Sequence, residues 1–290
     1  MEIALENVAL HLEKYKLMMT PNHNHLITRE MSNHFALGVS AGGSAIGFVL
    51  VRTRATISQA NIIELKIEQK FAGSGLEKIL LRTVENKLRE KNYHTLTFDC
   101  AFHEGETATK EFLQPGEGWD ERGLISYIWI TDLQGISRAE WVGKQRIPKD
   151  FELFSWDELS MSERQDIEAG YGQWYPENLS PLQEEHQMNA SLSVGLRYRG
   201  NVIGWMIVQR AARNMVLFKT QFIREDYRKL GRGMLLIAEA IRRTSKIEGM
   251  AYGMFVMDKD NADMIRLANK HFAPYVIRRK LFYSFQKELV

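Results

Sequence analysis

The chain has 290 residues, 44% hydrophobic and 26% charged, with a net charge of +2. These values suit about two soluble globular domains and exclude a global field that would gather nucleic acid or an anionic membrane. The lone Cys100 excludes an internal disulfide framework and a CxxC metal or redox motif, and its strand-like flanks predict a buried structural thiol.

No apolar run is long enough to span a bilayer. The N-terminus has neither a basic leader nor a continuous apolar core, so a cytoplasmic location is expected. Residues 2–19 carry Ile3, Leu5, Val8, Leu10, Leu12, Tyr15, Leu17 and Met18, a spacing that predicts an amphipathic helix. Pro21-Asn22-His23-Asn24-His25 ends it. His23 and His25 have no partner at metal-ligand spacing and are expected on a solvated loop. Strands are predicted at Phe35–Ala41 and Ala45–Arg52 around the Gly42-Gly43 turn, and at Ile62–Ile67. Gly73–Lys91 reads as a helix, with Leu76, Ile79, Leu80, Val84 and Leu88 on one face. His94–Cys100 is a strand, Thr107–Leu113 a short helix and Leu124–Thr131 an aromatic-rich strand.

The second half repeats this order. Phe151–Ser155 is a strand, and Asp157 or Ser160 caps a helix running to about Tyr171. Leu192–Tyr198 and Val202–Arg210 form a hairpin, Met215–Ile223 a strand, Gly231–Ile247 a helix and Ala251–Met257 a strand. Ala262–His271 is a helix, and Tyr275–Phe285 supplies one or two closing strands.

The repetition is visible in the residues. Gly38–Val51 matches Gly195–Val208, with Gly38 on Gly195, Gly43 on Gly200 and Gly47 on Gly204, 157 residues apart. Lys70–Leu81 matches Arg228–Glu239 with Gly73 on Gly231 and Gly75 on Gly233, 158 residues apart, as if one residue were inserted between the two blocks. A period this long means two copies of a domain. The polar stretch Gln134–Asp150 predicts the boundary, giving domains 1–138 and 139–290.

Arg228-Lys229-Leu230-Gly231-Arg232-Gly233 falls between a predicted strand and a predicted helix. The first turn of a helix carries N–H groups without intrahelical partners, and its dipole favours an anion. Glycines let a phosphate approach the backbone, and Arg228, Lys229 and Arg232 add cations. A pyrophosphate fits such a turn. No GK[ST] follows, so it is not a Walker A loop; Leu236 stands where the third glycine of a dinucleotide fingerprint would be.

A strand, [RQ]xxGx[GA], a helix, then a strand with an asparagine turn and a second helix resembles the GNAT N-acetyltransferase superfamily. The likeness covers about residues 190–285 and, with Lys70 in place of the Arg or Gln, residues 35–130. The resemblance implies an α/β protein of two tandem GNAT-like domains, each a mixed, mostly antiparallel sheet flanked by helices. The N-terminal copy is expected to be degenerate and the C-terminal copy to bind acetyl-CoA or another acyl-CoA. It implies a pyrophosphate on Arg228, Lys229, Leu230, Gly231, Arg232 and Gly233. Backbone groups at Phe222 and Ile223 would meet the pantetheine amides, with Asn261 near the coenzyme arm.

An N-acyltransferase needs a neutral amine, a polarised thioester carbonyl and a proton for the thiolate. The family tyrosine lies about seven residues after the asparagine. Here that position is Ala268; Tyr275 and Tyr283 follow it as candidate acids, Tyr283 the preferred one. The loop with Trp174, Tyr175 and Glu177 corresponds to the family's acceptor region. Aromatics beside a carboxylate suit a cationic amine; packing of Trp174 and Tyr175 against the other domain is the alternative. The expected acceptor is an amine on a small molecule or peptide, with no nucleic acid, membrane or metal involved, and the protein a monomer or homodimer. The alternative is a non-catalytic acyl-CoA-binding sensor or interaction module of the same fold.

Overall fold

The computed structural model describes residues 3–20, 23, 26–27, 33–105, 112–228 and 231–289. Contacts divide the chain into two compact units. Met1–Ile125 and Leu281–Val290 form the first, and Ser126–Lys280 the second.

The first unit holds strands β1 (Ile3–Asn7), β2 (His34–Ala41), β3 (Ser44–Arg54), β4 (Gln59–Ile67) and β5 (Thr95–His103) in that spatial order. The end of β12 (Val276–Glu288) lies beyond β5. β1 to β4 pair antiparallel, and β4 pairs parallel with β5. Alternation along β3 sends Val49 and Val51 to one face, where Leu80, Leu81, Val84 and Leu88 of the helix Leu76–Arg89 cover them. Phe48 and Leu50 point the other way, onto Val8, Tyr15 and Met19. Cys100 is only half-buried, at the margin of the first of these cores.

The second unit holds β6 (Asp120–Asp132, from Ser126 onward), β7 (Phe151–Ser155), β8 (Val194–Tyr198), β9 (Asn201–Ala212), β10 (Met215–Ile223) and β11 (Tyr252–Asp258). Their spatial order is β6-β11-β10-β9-β8-β7, antiparallel except for β10 with β11. The helix Arg232–Thr244 buries Leu235, Leu236, Ile237 and Ile241 against one face. The helix Met161–Ala169 and the loop after it cover the other face, an aromatic core of Phe154, Trp156, Tyr175, Trp205 and Phe222. A Cβ on Gly38 would strike the ring of Tyr15, and one on Gly195 the ring of Phe154. The repeated glycine therefore marks the place where an aromatic ring crosses the sheet in each unit.

Three expectations change. Residues 3–15 are not one helix: β1 pairs with β2, and only Leu12–Tyr15 is α-helical, because Ile3 and Leu5 gain a strand partner. The predicted boundary stretch contains the short helices Leu133–Ser137 and Glu140–Gly143, with Leu133, Ile136 and Val142 buried in the second core. The boundary at 138/139 accordingly does not separate the units. β6 carries Trp129 into the second core, and β12 with the residue after it carries Phe285 and Leu289 into the first. Most of the predicted helix Thr107–Leu113 lies outside the described residues.

The repeat register also shifts. Gly47 pairs with Ile67 and Gly204 with Ile223, and the extra residue of the bulge is Ile63 in β4 and Lys219 in β10. From these strands onward the copies are 156 residues apart, so the second copy is one residue shorter after its hairpin. Gly75, the N-cap of Leu76–Arg89, corresponds to Gly231, the N-cap of Arg232–Thr244.

Arg197 lies over the Phe154 ring and bonds Glu163 at 2.5 Å, joining β8 to the helix Met161–Ala169. The Arg197 guanidinium, with help from Ser160, holds the Glu163 carboxyl down from its ordinary 4.5 to about 2, against the opposing effect of burial. A depressed carboxylate adds stability that is complete above pH 4.5 and lost as pH falls towards 2. Urea midpoints are expected to fall between pH 5 and pH 2.5, and Glu163→Gln should flatten that slope. An unchanged slope in the variant would remove the pair from the acid response.

Candidate functional site

β10 and β11 pair only from Met215–Phe218 against Tyr252–Phe255. Beyond Phe218, at the Lys219 bulge, they separate, while β10 continues against β9 to Ile223. One edge of β10 therefore opens into a cleft between two parallel strands. Arg224 N–H bonds Ile203 C=O at 2.8 Å, so by the alternation of an antiparallel ladder the main chain of Phe222 also faces β9. The main-chain groups of Gln221 and Ile223 face the opening. This corrects the expectation for Phe222, whose side chain is buried in the aromatic core, and keeps Ile223 at the opening.

The turn Glu225–Tyr227 leads from β10 to Arg228. Arg228 Nε donates to Ile223 C=O at 3.1 Å, folding this side chain back over the strand end. Gly231 is the helix N-cap at φ +76, with no side-chain cap, and among the described residues nothing lies within 4 Å of the place a Cβ would occupy. That left-handed conformation suits glycine. Gly233 follows in the first turn. The Arg232 guanidinium stands over the ring of Phe151 at 4.5 Å, and Phe151 packs against Tyr198 and Tyr227. Lys229 and Leu230 lie outside the described residues. The open N-cap, the glycine at its first turn and the nearby guanidinium groups fit a diphosphate.

The first unit repeats the geometry without the chemistry. β4 pairs with β5 only from Gln59–Ile62 against Thr95–Phe98, and Gly75 caps its helix at φ +85. In the corrected register, Ala72 and Glu77 stand where Arg228 and Gly233 stand in the second. A carboxylate in the first turn opposes a bound anion. Glu64, which corresponds to Thr220, accepts from Thr20 N–H and Oγ1 and lies 2.7 Å from His23 Nδ1. His23 is thus packed on a strand carboxylate and not on a solvated loop.

Asn261 caps the helix Ala262–His271, its Oδ1 accepting from Met264 N–H at 3.0 Å. Ala268 is fully buried in that helix. Tyr283 belongs to the first unit, its ring near Phe102 and Phe285, because β12 ends in that unit's core. A tyrosine the second unit does carry is Tyr127, in register with Met257 near the end of β11.

On the aromatic face, Trp174 packs against Trp205 and Phe222 with the Arg224 guanidinium 5.0 Å from its ring. Tyr175 is buried, its hydroxyl donating to Ile167 C=O at 2.8 Å. Both rings pack within the aromatic core of their own unit. Glu177 lines a cleft of about 330 Å³ with Glu168, Tyr171, Tyr175 and Gln183. Burial and the neighbouring Glu177 push the Tyr171 hydroxyl above its usual range. Lys219, at the bulge, pairs with Glu184 at 3.0 Å and holds that carboxyl below its usual range. Sequence reading missed Gln221, Tyr171 and Glu168; the alternation of β10 past its bulge would have pointed to Gln221. Among the described residues no helix is long and apolar enough to cross a membrane.

The fold is that of the GNAT N-acetyltransferases, in tandem. A tandem GNAT protein from the clavulanic acid biosynthesis pathway superimposes with a TM-score of 0.68 at 14% identity, covering 100% of this chain and 99% of that one. A GCN5-related N-acetyltransferase from Sphaerobacter thermophilus gives 0.60 at 16%, covering 99% and 96%. One from Kribbella flavida gives 0.53 at 15%, covering 83% and 87%. No family model and no curated protein matches the sequence.

Proposed function

We propose that the chain is an acyl-CoA-dependent N-acyltransferase whose second unit binds the coenzyme, acetyl-CoA in the first instance. The observation that carries this reading is the contrast between the copies. Both have separated parallel strands and a left-handed glycine N-cap, yet only the second adds Arg228 and Gly233 where the first has Ala72 and Glu77.

Bound coenzyme would supply an activated acyl thioester. The first-turn amides and Arg228 would hold its diphosphate, and the open edge at Gln221 and Ile223 would hydrogen-bond its amide-bearing arm. The acceptor would enter from the aromatic face, where Trp174 and Tyr175 shape the wall and Glu177 attracts an ammonium group before it loses its proton. A small molecule or peptide amine is the proposed acceptor, and cytoplasm the proposed location.

The buried Ala268, at the position of the family tyrosine, favours a second reading, an acyl-CoA-binding module without transfer. Thiol release from acetyl-CoA, followed with a chromogenic thiol reagent across a panel of amines, separates the two. Amine-dependent release is the expected result. Coenzyme binding with no release from any amine would establish the second reading, and absence of binding would end both.

A further inference from the structure

Gly233 is not a glycine for the same reason as Gly231. A methyl group on Gly233 would lie 2.5 Å from Nε2 of Gln221, whereas one on Gly231 would meet nothing within 4 Å among the described residues. The Gln221 side chain therefore lies across the first turn of the helix Arg232–Thr244, on the strand edge where β10 has left β11. The same two places in the first unit change together. Leu65 stands for Gln221 and Glu77 for Gly233. Leu65 packs against the apolar core and offers no donor. A donor beside an unblocked turn has thus been replaced by an apolar side chain beside a carboxylate.

We propose that the Gln221 carboxamide is a diphosphate-binding group, and that Gly233 is glycine to let it reach that position. The inference rests on the reading that the second unit binds coenzyme A. A carboxamide N–H beside the first-turn amides donates a hydrogen bond to a phosphate oxygen without carrying a charge. It also sits on the strand whose main chain faces the coenzyme arm, so one residue ties the diphosphate to the β10 edge.

The test compares coenzyme A with pantetheine, which lacks the diphosphate, by calorimetry on the full chain. Wild type should prefer coenzyme A. Gln221→Leu should lose roughly 10-fold in coenzyme A affinity, the worth of a hydrogen bond to a charged group, and nothing for pantetheine. Gln221→Glu should lose more, by like-charge repulsion. Gly233→Ala should displace the carboxamide and show the same selective loss, with the double variant Gln221→Leu/Gly233→Ala no weaker than either single one. Wild-type affinity in Gln221→Leu, with the preference for coenzyme A intact, would overturn the assignment. Equal losses for both ligands would reduce Gln221 to a structural role and overturn it likewise. A wild type that does not distinguish the two ligands would instead bring down the coenzyme reading itself.

Discussion

Truncation after Lys280 is expected to unfold the first unit and leave the second folded. The removed segment carries Phe285 and Leu289, 1% and 4% exposed in the core of the first unit. Removing a buried aromatic or leucine costs about 2–5 kcal/mol each. It also carries Lys287, whose Nζ lies 2.9 Å from Glu85 and bonds the Glu117 carbonyl beside Trp119. Glu85 is 4% exposed, and a buried carboxylate left without its cation costs about 3–5 kcal/mol more. Together these losses match or exceed the total stability of an ordinary domain, about 5–15 kcal/mol. The second unit keeps its two cores, which draw on residues 127–276. Hydrogen exchange on the truncated chain should show protection lost in β2 to β5 and retained in β8 to β11. Protection retained throughout would show that the terminal strand is dispensable. Lys287→Met, which keeps the packing and removes the charge, should destabilise the first unit less than truncation.

Gly231→Val is expected to abolish coenzyme binding in a protein that still folds. Valine at φ +76 costs about 1–2 kcal/mol, small beside the stability of a domain. The chain relieves that strain by moving the turn towards negative φ, which turns the first amides of Arg232–Thr244 away from the diphosphate. Each charge-assisted hydrogen bond lost is worth about 1.5–3 kcal/mol, so two lost bonds already exceed a 100-fold fall in affinity. At a coenzyme concentration 100 times its Kd the wild type should gain about 2.7 kcal/mol of stability, and the variant none. Gly75→Val supplies the control. It places the same strain at the N-cap of the first unit and should leave the coenzyme-induced shift unchanged. A full shift in Gly231→Val would remove this turn from the coenzyme site.

Much of the site was legible along the chain. The glycine turn, the strand before it and the asparagine after β11 all occur where their spacing predicted them, because each depends on neighbours a few residues away. The acceptor side was legible only in part. Trp174 and Tyr175 were read as aromatics near a cationic amine, but the Tyr175 hydroxyl is committed to Ile167 and Trp174 to Trp205 and Phe222. Glu177 remains on a cleft with Tyr171 and Glu168, residues that spacing gave no reason to select. Gln221 could be selected only once the bulge was placed, because a single residue, Lys219, resets which side chains face the helix.

Duplication, fold class and the glycine turn follow from the sequence by itself. Glycine conformation, helix capping and hydrophobic periodicity are local properties, and each is written within a few residues. The pairing of distant strands is not. Only the tertiary structure decided that the last strand completes the first unit, Tyr283 with it, and that β6 serves the second. An apolar alternating segment states that it must be covered; which core covers it depends on long-range registers that no local spacing records.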